Sequence, residues 1–196
     1  MGQTDIIDYR HNRLAWEGFA EALLRNYEVA LPEPEGLGEP GDLDRFLLAL
    51  GHSFGPSTVG DVAETRALRE RLRRIFDGNI NVEQRSAELN AMLSDTPVRL
   101  VLDPRSHTLD FALPVLNGSL VERVSTLSVV SLALAVSQFG YSRLRICEAD
   151  PCRDAFVDTS KKGSRRFCGA KCASRWHVAA FRDRKKTGKG DEGNQP

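Results

Sequence analysis

The sequence predicts an α+β chain in two unequal parts. A mainly helical N-terminal domain with one β-hairpin (residues 1–140) precedes a small four-cysteine module that ends in a basic helix (141–186). Three observations predict this. Apolar residues recur at helical spacing through most of the first 140 positions and change to strand-like runs only near 98–113. The four cysteines, Cys147, Cys152, Cys168 and Cys172, all fall within one short C-terminal stretch. Charge divides at the same place: residues 1–140 carry 13 Lys and Arg against 20 Asp and Glu, and residues 141–190 carry 14 against 5. Two domains of opposite charge fit this division better than one mixed surface.

The elements follow in order. Residues 10–29 place Leu14, Trp16, Phe19, Ala20, Leu23, Leu24 and Tyr27 along one helical face. The Pro- and Gly-dense run 31–41 reads as a surface loop. Asp42 or Asp44 then caps a short helix through Phe46, Leu47 and Leu50 that stops at Gly51. A longer helix is expected over 59–77, with Val62, Leu68, Leu72, Ile75 and Phe76 as its stripe, and another over Val82 to Leu93. Residues 98–103 and 108–113 flank Pro104-Arg-Ser-His107, as the two strands of a hairpin do. Leu120 to Phe139 is the most apolar helix. Its length invites a membrane reading, but Glu122, Arg123 and repeated Ser and Gln favour a protein core. The tail 187–196 is polar, Gly-rich and expected to be disordered. No secretory leader is expected at the N-terminus, and a cytoplasmic location follows from that reading.

The cysteines are written C-x4-C-x15-C-x3-C, two close pairs joined by a loop. That is the arrangement of a tetrahedral four-thiolate zinc site, in a module of zinc-ribbon or treble-clef type. In a reducing compartment clustered cysteines serve as metal ligands; two disulfides in an exported protein is the competing reading. Four thiolates leave no open position on the metal, so the one Zn2+ is structural. His177 would point about 140° away from Cys172 around a helix and is no ligand.

The cations surround this site. Lys161, Lys162, Arg165 and Arg166 form a basic loop before Cys168, and residues 173–186 read as a helix after Cys172. On that helix Arg175, Arg182 and Lys186 share a stripe with the small Ala179 between them, which suits close approach of a phosphate backbone. One apolar face, Trp176 with Ala180 or Val178 with Phe181, must pack against the rest of the molecule.

The run FVDTSKKGSRRFCGAKCASRWHVAAFRDRK resembles the bacterial CGNR zinc-finger family. That family carries a D-x-S-x-x-G-x-R-x-x-C stretch, a Cys-Gly-Asn-Arg tetrad and a basic helix. Here the tetrad reads Cys172-Ala-Ser-Arg175, with Cys and Arg kept and Gly and Asn replaced. The resemblance covers about residues 141–186. The upstream layout resembles the family's N-terminal domain, the ABATE or stress-induced transcription-regulator domain. The resemblance implies a transcription regulator whose zinc module contacts DNA.

DNA is therefore the leading expected partner, with RNA as a less favoured sub-case because aromatic stacking residues near the cations are few. A second class of reading is a protein-interaction module whose basic finger packs on the acidic N-terminal domain or on a partner. A homodimer is allowed, with the N-terminal domain as its dimerisation unit. His11 beside Asp8, Arg10 and Arg13 offers a place for a small anionic effector, although loop polarity explains those residues as well. No nucleophile elbow, phosphate-binding loop, dinucleotide fingerprint or His/carboxylate metal constellation is present, so an enzyme is not expected.

Overall fold

The computed structural model describes residues 18–27, 32–96, 99–102, 109–112 and 118–188, with backbone only for 99–102, 109–112, 183 and 186–188. Helix α1 (Phe19–Arg25) is the described part of the first amphipathic stretch. Leu14 and Trp16 lie outside the described residues, as does the expected effector site at Asp8, Arg10, His11 and Arg13.

Helix α2 (Pro40–Ala49) starts earlier than expected. Pro40 takes the first helical position, where its missing N–H costs nothing. Asp42 lies inside the first turn and accepts the Glu39 N–H at 2.9 Å. Asp44 is no cap: it accepts the Ser57 N–H at 2.9 Å and fixes the connection to the next helix. Helix α3 (Val59–Phe76) opens with a reciprocal cap in which the Thr58 hydroxyl accepts from Asp61 N and Asp61 accepts from Thr58 N. Asn81 caps α4 (Val82–Ser94) through the Gln84 N–H. Strands β1 (Arg99–Leu102) and β2 (Leu109–Ala112) pair antiparallel with Leu100 opposite Phe111, as the sequence pattern predicts.

Helix α5 (Leu120–Phe139) is capped by Ser119 with Glu122 and ends at Gly140. By length and hydropathy it could cross a membrane, yet it packs against α1, α3 and α4, with Val124, Val129 and Leu132 in the core. Its buried hydroxyls explain themselves. Ser128 donates to the Val124 carbonyl at 2.7 Å, and Ser131 accepts the Ala20 N–H at 3.3 Å. Gly18, the residue before α1, gives no side-chain cap, and Ser131 supplies an acceptor to an N–H of the first turn. Phe19, Leu23 and Leu24 of α1, Leu43 and Leu47 of α2, and Leu72, Ile75 and Phe76 of α3 complete this core.

Two arginines are buried in it. The Arg69 side chain is 3% exposed and pairs with both Glu35 oxygens, at 2.8 and 2.6 Å, beneath the Tyr27 ring. Arg85 donates to the Ile75 carbonyl at the end of α3 and to the Tyr141 carbonyl, which ties α4 to the turn that leads into the cysteine module.

That turn, Tyr141–Arg143, leads into β3 (Leu144–Ile146), which pairs antiparallel with β4 (Ala155–Val157). This second hairpin has two faces. Leu144, Ala155 and Val157 belong to the helical core, while Phe156 points the other way into a small cluster with Cys147, Ala149 and Cys152. The sequence boundary at 140 is therefore not a boundary of the hydrophobic core. Helix α6 (Ala170–Gly188) closes the module and includes Thr187 and Gly188, so the expected tail begins later than 187; residues from 189 lie outside the described residues.

Candidate metal centre

The hairpin turn between β3 and β4 carries the first cysteine pair. Cys147 follows β3 directly, and its N–H donates to the Asp154 carbonyl at 2.8 Å, closing the loop that also holds Cys152. Cys168 sits in the loop before α6, and Cys172 lies in the first turn of that helix. One pair on a hairpin and the other at a helix start is a treble-clef-like arrangement; a ribbon would place the second pair on another hairpin.

All four sulfurs lie within 4.8 Å of one another. Cys152 and Cys168 are 3.8 Å apart, and Cys168 and Cys172 are 3.6 Å apart. A tetrahedron with zinc–sulfur bonds of about 2.3 Å has edges of about 3.8 Å, whereas a disulfide would need about 2.05 Å. The four residues are free cysteines and form a single structural zinc site.

The surroundings suit thiolates. The Cys168 N–H points at Cys147 Sγ at 3.4 Å, and an Arg175 Nη2 donates to Cys172 Sγ at 3.3 Å. Four thiolates and one Zn2+ leave two negative charges, which these donors offset. Burial pushes the Cys147 thiol up, but the backbone N–H groups of Cys168 and Ala149 outweigh it and hold the thiol below its ordinary value. Burial pushes Cys152 up to about 12 and raises Cys168 as well, so metal binding releases protons from both. Cys168 Sγ also lies 3.3 Å from Asp154 Oδ2.

The loop between β4 and Cys168 is built around Asp158, which is fully buried. Its two oxygens accept the N–H groups of Ser160 and Arg165, each at 2.9 Å. Burial opposes the Asp158 charge, yet these bonds and the nearby Arg143 hold its carboxyl below the usual range. The Arg143 Nη1 donates to the carbonyls of Ser160 at 2.7 Å and Asp158 at 3.1 Å. Gly163 has φ 63°, and a Cβ there would lie 2.5 Å from Arg143 Cζ. The D-x-S-x-x-G-x-R spacing thus has a structural reason at each marked position: Asp158, Ser160, Gly163 and Arg165 make one folded turn.

The expected cations divide into two groups. Arg165 is committed to the module: it donates to the carbonyls of Phe167 and Cys168 and lies over the Phe156 ring. Arg166 pairs with Glu148 at 2.6 Å and stacks on Trp176, though it stays half-exposed. Arg175 is exposed but reaches back to Cys172. Lys161, Lys162 and Arg182 are exposed with no ion pair among the described residues, and the Lys186 side chain lies outside them. Trp176 is the apolar anchor of α6, packing with Phe167 at a ring separation of 5.6 Å. Val178 and Phe181 remain exposed. With Trp176 inward, the outward face of α6 also includes Lys171 and Lys185. The helix expected from the sequence begins at 173 and so leaves Lys171 out, and its stripe does not include Lys185; the anchor tells which side faces solvent. The module touches the acidic domain through the apolar face of β3–β4 and through Glu21, which accepts the Val157 N–H. Among the described residues, none of that domain covers the outward face of α6.

Residues 143–185 match the CGNR zinc finger family. Residues 19–136, more than half of the chain, match ABATE, described as "Putative stress-induced transcription regulator". The chain belongs to the ABATE family. No curated protein matches it. In this ABATE chain the altered tetrad keeps the site: Cys172 supplies a ligand and Arg175 supports that ligand's sulfur, while Ala173 and Ser174 are not among the four ligands.

Proposed function

We propose that this ABATE-family chain is a cytoplasmic, non-enzymatic transcription regulator that binds DNA through its zinc module. The observation that carries the reading is the placement of the exposed cations that form no ion pair among the described residues. Lys161 and Lys162 stand on the Asp158 loop, while Lys171, Arg182 and Lys185 stand on the outward face of α6. Both supports are fastened to one metal site, the loop through Arg165 to the Cys168 carbonyl and the helix through Cys172. A polyanion meeting both would be held at fixed spacing, and the metal would supply rigidity with no chemistry of its own. Arg175 and Arg166 can lend charge, but each already has a partner within the module.

The test is zinc analysis together with a gel shift on duplex DNA across a salt series. Zinc near one per chain is expected, lost in Cys168→Ser together with DNA binding. With five cations engaged, the logarithm of affinity should fall with the logarithm of salt at a slope of about −4 to −5. Zinc-loaded protein that binds no DNA at low ionic strength would sink the reading.

A further inference from the structure

The outward face of α6 carries two large apolar side chains that no described residue covers: Val178 is 48% exposed and Phe181 is 61% exposed. They lie about 160° and 140° around the helix from Trp176, the residue that anchors α6, so they point squarely away from the molecule. Lys171 and Arg175 precede them along the axis, and Arg182 and Lys185 follow. Lys171 to Lys185 spans about 21 Å at 1.5 Å per residue, with the apolar pair near the middle.

We infer that Val178 and Phe181 contact thymine methyl groups in the major groove of duplex DNA, so that α6 reads sequence as well as holding phosphates. This rests on the DNA-binding reading above and goes beyond it by assigning base contact to uncharged residues. The groove, about 12 Å wide, admits one helix and presents the thymine C5-methyl as an apolar feature between two rows of phosphate. An apolar centre with cations before and after it is complementary to that surface.

Other occupants fit less well. A second copy seated face to face would bring the same four cations together. A stable protein interface buries about 800 Å² per partner, whereas an aromatic side chain contributes about 150–250 Å²; a Phe and a Val supply well under half of what is needed. A helix lying in a membrane surface presents a continuous apolar face, and here Lys185 interrupts the same face one turn beyond Phe181.

The experiment uses the full, zinc-loaded chain. Binding sites are selected from a pool of random-sequence duplexes, then resynthesised with deoxyuridine in place of thymidine, which removes only the methyl groups. Selected sites should hold thymines at fixed positions, and the deoxyuridine form should bind about fourfold more weakly per contacted methyl, the transfer free energy of one buried carbon. Phe181→Ala and Val178→Ala should each narrow the difference, and the double variant should bind both forms equally while keeping its zinc and its salt slope. Equal binding of the two forms by the native chain, with the salt slope intact, overturns the inference and leaves DNA binding standing. No binding to either form overturns both. Self-association, or binding to phosphatidylserine vesicles, that depends on Phe181 while methyl discrimination is absent gives the surface to another occupant.

Discussion

Replacing Gly163 by Ala tests how the zinc site is assembled. Residue 163 sits at φ 63°, and an L-residue with a Cβ pays about 1–2 kcal/mol there. The new Cβ would also lie 2.5 Å from the Arg143 guanidinium, the free end of a flexible side chain that can swing away. Swinging away forfeits its bonds to the Ser160 and Asp158 carbonyls, about 1 kcal/mol each. The sum is about 3 kcal/mol. Cys168 reaches the metal only when this loop is in place, and ordering of the loop is coupled to metal binding. Zinc affinity should then fall about 100-fold, at 1.4 kcal/mol per decade. Competition against a chromophoric chelator reads this directly. In an Arg143→Ala background the same change should cost only the backbone part, about tenfold. Native zinc affinity in Gly163→Ala refutes the argument, and an equal loss in both backgrounds refutes the Arg143 half of it.

Two further outcomes concern the helical domain. Burial raises the Glu21 carboxyl above its ordinary value despite the Val157 N–H, Arg25 and Arg165. The fold therefore favours the neutral form: its contribution is fully present below the ordinary glutamate range and is lost as pH rises through the raised value. Glu21→Gln keeps an acceptor for Val157 and removes the ionisation, so its melting temperature should equal or exceed that of the native chain at neutral pH; a clear drop contradicts the account. Glu35→Ala strands the buried Arg69 charge and should cost about 3 kcal/mol in urea unfolding. Adding Arg69→Met should recover most of that loss, and no recovery would mean that the cost is not electrostatic.

The cysteine site was legible because ligand spacing is a local property: four sulfurs in two close pairs have few other uses. Helix starts were legible where a hydroxyl precedes an acid by three residues, as with Thr58 and Ser119. The start of α2 was misread because Pro40 and Glu39 set it, and an acid inside the first turn looks the same in sequence as an acid before it. Partners of charge were not legible. Arg165 and Lys161 read alike as cations, yet one is bound to the carbonyls of its own loop and the other faces water. The shared core was hidden for another reason: β3 and β4 have three residues each, too few for an alternating pattern to declare itself.

That short hairpin gives metal supply a reach beyond the finger. A ligand that binds only the folded state adds free energy to whatever folds with it, about 1.4 kcal/mol for each tenfold rise above its dissociation constant. Since Leu144, Ala155 and Val157 close the helical core from one side of the sheet while Phe156 backs the cysteines from the other, the beneficiary here is the ABATE domain as well. A chain cut at Gly140 would be a domain with an open wall, and a chain starved of zinc would approach the same condition by degrees.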